Sequence, residues 1–446
     1  MDSNNVHELD RTDIESYNIP GGKVFNRYFQ CPLDYKNPAG KTIQVYVRHL
    51  ISSESVDMHR APFLLYLQGG PGFQSPSHTS LSGGWVGIML AQGYQVLLLD
   101  QRGTGLSSAI NSSSEVLTLP TIEEQVEYMT HFRADSIVND CEFIRKILVQ
   151  GREAQTSGNL KGPSTKFTLL GQSFGGFCIT TYLSFFPEGV EKAIITGGVP
   201  PLLSDPAEIY EKLIQKVLRR NEMYYQTYHA DIKRVRAIVR YLSSNVVYLP
   251  GTSVSTSPHP NTINQDESTC GKKPGNILSP NRFQQLGLAF GSSSGFAAVH
   301  KIILNMENDL KLNNKLSYKS LTEFEQFFSF ETNVLYAILH ESIYCNGPSS
   351  GASNWACSRA LKKNSSIEAK FDSSLILSSD DSQPIYFFGE MIFPWMTQNI
   401  YGTELAKFSD LADALSKYDK WCPLYNVHNL NKNTVPVAAV SYYDDP

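Results

Sequence analysis

Several things are missing from these 446 residues, and each absence removes a class of function. No run of about 18 apolar residues occurs, so no membrane-spanning helix is expected. The opening MDSNNVHELDRTD is polar and acidic, without the basic and apolar regions of a secretory signal. Positive charge is not in excess: 38 Lys and Arg stand against 43 Asp and Glu, a net charge of −5. That balance argues against nucleic acid or an anionic membrane as a partner. The seven cysteines are scattered and odd in number, and none forms a CxxC pair. Free thiols in a reducing cytoplasm are expected, with no zinc or other metal site, no disulfide framework and no cofactor. Asn111-Ser-Ser and Asn364-Ser-Ser match the glycosylation pattern, but without a secretory route they are expected to go unused. No internal repeat is visible. The oligomeric state is not readable.

What remains is an ordinary globular composition, 41% hydrophobic and 18% charged. Lys41–His49 alternates polar and apolar residues, as a half-exposed strand does. Pro62–Leu67, Tyr94–Asp100, Phe167–Gly171 and Ala193–Thr196 are short apolar runs, suited to strands buried on both faces. Thr121–Val149 has helical spacing. Strands alternating with helices predict a mostly parallel α/β sheet. After Pro200-Pro201 the chain reads as helical, with Asp205, Pro206 and Glu208 as a helix start. Pro250–Pro280 reads as a long loop. Strand character returns at Pro384–Phe388 and Val435–Tyr442. The expected organisation is one α/β core over 1–200, a helical cap over 201–380, and the rest of the core, incomplete, over 381–446.

Three segments fit G-x-S-x-G, where roughly 0.1–0.2 matches are expected by chance. Ser173 alone follows a buried strand run and precedes a helix-compatible segment, the setting of a nucleophile elbow. Ser293 lies between helical stretches and Ser349 in a polar loop, so both are expected to be structural. Gln68-Gly69-Gly70-Pro71-Gly72 follows another strand. Its amides at Gly69 and Gly70, with that of Phe174, form a candidate oxyanion hole. Asp100-Gln101-Arg102-Gly103-Thr104-Gly105 follows a third strand, and Asp100 and Arg102 are expected to brace loops.

QGGPG, DQRGTGLS and GQSFGG, in this order, resemble the proline iminopeptidase (prolyl aminopeptidase) family of α/β-hydrolases. LHESIYC at Leu339–Cys345, GEMIFPWM at Gly389–Met396 and VPVAAVSYYDD at Val435–Asp445 extend the likeness to its longer-chain branch, from about Asn26 onward. Smaller members carry His where Gln68 stands. The resemblance implies a serine peptidase releasing an N-terminal residue, chiefly proline, from peptides with a free N-terminus. It assigns the cationic terminus to Glu341 and Glu390, with Tyr344, Phe393 and Trp395 as candidate pocket walls. A desolvated carboxylate suits a cation. The triad acid falls at Asp445, with Asp444 as the alternative, and a histidine should follow it. All ten histidines precede it, His428 being nearest and expected to be a surface or packing residue. The expectation is therefore a truncated C-terminus without the last strand and catalytic histidine, leaving an exposed apolar edge strand and a catalytically impaired chain. A non-enzymatic peptide-binding homologue and another α/β-hydrolase, such as an esterase, are the alternatives. An esterase would need neither Glu341 nor Glu390. Ser173 speaks against an epoxide hydrolase, which would want Asp there.

Overall fold

The computed structural model describes residues 15–53, 57, 60–153, 165–202, 205–250, 276–398 and 400–443. They form two compact units. The first gathers the described parts of 1–204, 338–352 and 418–442; the second holds those of 205–337 and 353–417, with 443.

The first unit is built on one eight-stranded sheet. Its strands are β1 (Ser16–Ile19), β2 (Gly22–Pro32), β3 (Thr42–Ser52), β4 (Phe63–Leu67), β5 (Gln95–Asp100), β6 (Phe167–Gln172), β7 (Val190–Thr196) and β8 (Val437–Val440). Their order across the sheet is β1-β2-β3-β5-β4-β6-β7-β8. Strands β4 to β8 pair in parallel, while β1 to β3 pair antiparallel, β3 against β5. The apolar runs became the central strands because no polar side chain had to be kept wet: all residues of β4 and β5 are buried. β1 and β2 had no reading in the sequence. The eleven residues of β2 mix Lys, Asn, Arg and Gln with apolar positions, and the long antiparallel register with β3 organises them.

The chain leaves β4 toward β5 on one side and reaches β6 on the other, so β4 is where the strand order reverses. Ligand sites of open α/β sheets lie at the carboxyl ends of strands beside such a reversal. The loops after β4 and β6 leave the sheet there as neighbours, since Leu67 is in register with Gly171.

The region read as one helical stretch over Thr121–Val149 is two helices, Ile122–Thr130 and Ala134–Glu153. The first opens with a capping box between Thr121 and Glu124. Below the sheet's loops, Arg102 is fully buried and forks onto Asp140, with Nε–Oδ2 at 2.7 Å and Nη2–Oδ1 at 2.5 Å. It also donates to the carbonyls of Pro32, Leu33 and His131, and Tyr35 donates to Asp140 Oδ1 at 2.7 Å. Asp100 accepts from the amides of Ser75 and Leu106. Burial pushes its carboxyl up, against the pull of those two amides. Both residues therefore tie loops together.

The second unit is mainly helical, with Ala207–Thr227, Asp231–Ser244 and Gly295–Asn313 its longest members. Glu208 Oε1 accepts from the Asp205 amide at 3.1 Å, and Asp205 Oδ1 accepts from Ala207 N at 2.8 Å. Arg359 forks onto the same carboxylate and holds it below the usual range. Most of the expected 250–280 loop lies outside the described residues.

Two expectations need revision. Pro384–Phe388 is not a strand. Its polar groups are met by other elements instead: Asn221 bonds both the amide and carbonyl of Phe387, Tyr225 donates to Ile385 O, and Phe388 N donates to Gln284 O. These bonds hold the segment in the second unit, so residues 381–417 do not return to the core as expected. Conversely, 338–352 lies in the first unit, where Arg133 donates to Cys345 O at 2.7 Å and Tyr344 packs edge-on against Phe177. Among the described residues, no helix is long and apolar enough to cross a membrane.

Candidate active site

Ser173 stands between β6 and the helix Phe174–Phe185 with φ 52° and ψ −119°. A non-glycine residue in that region is strained, and such strain persists only where the surroundings impose it. Here they do. Ser173 N donates to Thr196 O at 3.2 Å, and Ser173 O accepts from Gly176 N at 2.7 Å. A Cβ on Gly175 would overlap the carbonyl of Leu67, and one on Gly198 would overlap that of Ser173. The small residues around the serine exist because three backbones meet there. The turn lifts Ser173 out of the sheet, leaving it exposed while Phe174, Gly175 and Gly176 behind it are buried.

The loop after β4 comes to the same point. A Cβ on Gly69 would stand 3.1 Å from Ser173 Cβ and 3.7 Å from its Oγ, so a side chain here would crowd the serine and glycine suits the close approach. Gly70 follows with φ 126°. The loop is held by its own side chains: Gln68 Oε1 accepts from Gly69 N at 3.1 Å and from Tyr66 Oη at 2.6 Å, and Gln101 Nε2 donates to Gln68 O at 3.0 Å. Phe174 is the first helical residue after Ser173, a position whose N–H has no partner within its own helix. The arrangement sets a serine hydroxyl beside backbone donors, as acyl transfer through an oxyanion requires.

Glu341 is 6% exposed and opens the short helical turn Glu341–Tyr344. Tyr344 of that turn meets Phe177, one turn into the helix that starts at Ser173, with ring centres 5.8 Å apart. The first unit thus holds Ser173, the Gly69-Gly70 loop beside it, and the turn bearing Glu341, whose Tyr344 packs on the serine's helix. Glu390 belongs to the second unit, where Tyr336 Oη donates to its Oε1 at 2.7 Å. Phe393 and Trp395 stack there at 5.6 Å and, with Phe388, line a cleft of about 540 Å³. Ser293 and Ser349 are exposed in a turn and a short 3₁₀ segment, and neither follows a strand. Asp444 and Asp445 lie outside the described residues.

Several of the described histidines are engaged by other residues, while His340 packs edge-on against Tyr344, in the turn that carries Glu341. His49 is buried between Arg27 and Gln95, His131 lies beside Glu127, and His300 bonds Asp231. His428 is exposed on Val427–Asn431. The neighbouring Asn429 donates to Ser184 O at the far end of the serine's helix. Ser184 lies eleven residues beyond Ser173, roughly 16 Å at about 1.5 Å per residue. Among the described residues no group of three His, Cys, Asp or Glu is placed to hold a metal ion.

Tyr66, Thr196 and Gly198 had no part in the site read from sequence, and Gln68 had none as the acceptor that holds its loop. The close approach at Gly198 has only a Gly-Gly pair after a strand as its signal.

The chain matches known proteins along most of its length. A family description, alpha/beta hydrolase fold, matches residues 62–241. A proline iminopeptidase of Aeromonas sobria is 35% identical over 430 residues, covering 96% of this chain and 87% of that one. A proline iminopeptidase of Aspergillus aculeatus is 33% identical, covering 94% and 82%. A tripeptidyl aminopeptidase of Streptomyces coelicolor is 24% identical over 39% of this chain and 35% of its own. With the elbow, the glycine loop and the sheet order in place, this chain belongs to the proline iminopeptidase family of α/β-hydrolases.

Proposed function

We propose that the chain is a serine aminopeptidase that releases N-terminal proline, or a similar residue, from peptides. The observation that carries this reading is Ser173, held at φ 52° on the elbow with Gly69 packed against it. Ser173 Oγ attacks the carbonyl of the first residue, and the peptide's remainder leaves as an amine. Water then releases the acyl group. The amides of Gly70 and Phe174 receive the negative charge of the tetrahedral intermediate, and that of Gly69 joins them by leaving Gln68 Oε1. Glu341 and Glu390 hold the substrate's cationic terminus. Burial of Glu341 strengthens its pull on a cation. Asp445, or Asp444, is the triad acid. The six described cysteines are free thiols, five of them buried, which suits a cytoplasmic setting.

The triad works by a histidine taking the serine proton and giving it to the leaving amine. His428 neighbours Asn429, which bonds Ser184 O, a residue about 16 Å from Ser173 along the helix. The test measures hydrolysis of a proline arylamide and fluorophosphonate labelling. Ser173→Ala should abolish both. Labelling retained without Ser173 would move the nucleophile to Ser293 or Ser349.

A further inference from the structure

The first unit contains a cavity that the peptidase reading leaves unused. Its volume is about 200 Å³, and Ser173, Gly69, Phe174 and Glu341 are not among its lining residues. That is below the roughly 300–1,000 Å³ of drug-sized ligand sites, so it is too small for a peptide.

The chemistry of its wall is unusual. Arg133 is 3% exposed, and its guanidinium lies over the ring of Trp421 at 4.4 Å. Only Nη2 is accounted for, by the bond to Cys345 O at 2.7 Å. Among the described residues, Arg133 Nε and Nη1 and Trp421 Nε1 are buried donors with no partner. Asp135 Oδ1, in the same wall, is a buried acceptor with no partner. A buried group left unpaired typically costs about 1–3 kcal/mol, and more when it is charged, so such a cluster marks a place where something else completes the bonding.

The charges of the wall narrow the choice. Lys36, Arg133 and Lys420 face Asp34, Glu127 and Asp135, three bases against three carboxylates. His131 adds no charge near neutrality, because burial holds its ring below the usual range. A multiply charged anion such as phosphate would meet three carboxylates there. A lone cation would meet the buried guanidinium. We infer that this cavity binds a small zwitterion, a free amino or imino acid, with its carboxylate on Arg133 and Trp421 and its ammonium on Asp135. The Arg133 bond to Cys345 O also ties the cavity to the segment that carries Glu341. The inference stands apart from the peptidase reading, although its ligand class includes the product of that reaction.

Isothermal titration of the 446-residue chain with L-proline, glycine, acetate and methylammonium tests it. Proline or glycine should bind, with acetate and methylammonium weaker by roughly tenfold or more, since each lacks one charged partner. Trp421→Phe keeps the ring under Arg133 and removes one donor; Asp135→Asn removes the acceptor's charge. Each should weaken zwitterion binding, by roughly tenfold for Asp135→Asn, while melting temperatures confirm that both variants fold. Ser173→Ala should leave binding unchanged. Acetate binding as tightly as proline, affinity unchanged in both cavity variants, loss of binding on Ser173→Ala, or no binding of either zwitterion would each overturn the inference.

Discussion

Strands β6 and β8 flank β7 in one sheet and run parallel, yet their carboxyl ends are built very differently. β6 lies inside the sheet and hands over to a helix whose first residues are buried. Its turn is pinned by Thr196, by Gly198 and by the loop after β4. β8 lies at the sheet margin with all four residues exposed, Val437 at 45% and Val440 at 49%. It is held by its ladder to β7, including Gly197 N to Val440 O at 2.8 Å. A strand edge open to solvent presents unpaired backbone groups and invites pairing with another chain. Ser173 is therefore held in place by the core, whereas β8 has no such enclosure.

The contrast can be broken at its strongest point first. Arg102→Met should remove one partner of a fully buried ion pair and leave Asp140 charged and unmatched. Such losses typically cost about 3–5 kcal/mol, to be read by chemical denaturation; a cost below about 1 kcal/mol would mean that the loops under the central strands do not depend on this pair. Gly198→Ala should be next. Its Cβ would overlap the Ser173 carbonyl at φ 69°, so overpacking of about 1–3 kcal/mol is expected with loss of the elbow geometry. Melting temperature and labelling of Ser173 report the two effects separately. Glu341→Gln should leave stability nearly unchanged but weaken binding of free-terminus peptides by about 2–5 kcal/mol, the typical loss for one partner of a desolvated charge pair. N-acetylated peptides bound equally well would remove the carboxylate from substrate recognition. At the margin the expected effect is smallest. Val440→Thr on exposed β8 should change stability by no more than about 0.5 kcal/mol, as surface substitutions do, and should lower any tendency to self-associate, measured by sedimentation. A large loss would mean that β8 is covered after all.

The same contrast explains what was legible in advance. β4 and β5 declare themselves because strands buried on both faces must be largely apolar, and β6 and β7 do so through the shorter apolar runs within them. β2 does not, since its mixed residues take their shape from eleven paired positions on β3. Pro384–Phe388 misled for the opposite reason. PIYFF has strand composition, but Asn221, Tyr225 and Gln284 reach its backbone first, and those partners lie more than 90 residues earlier in the chain. The return of residues 338–352 to the first unit was hidden likewise, because its anchors are Arg133 and Phe177.

By itself, the order of residues determined that a serine would sit between a buried strand and a helix, that glycines would crowd it, and that a glycine loop would leave the strand two places earlier in the chain. Those are local properties, set by period, residue size and allowed backbone angles. Only the tertiary structure decided that β4 and β6 would be neighbours, bringing Gly69 against Ser173 across a hundred residues. It likewise decided that Glu341 would share a unit with Ser173 while Glu390 would not. Such proximity depends on strand order and on which side chains reach which carbonyls, and no local pattern encodes either.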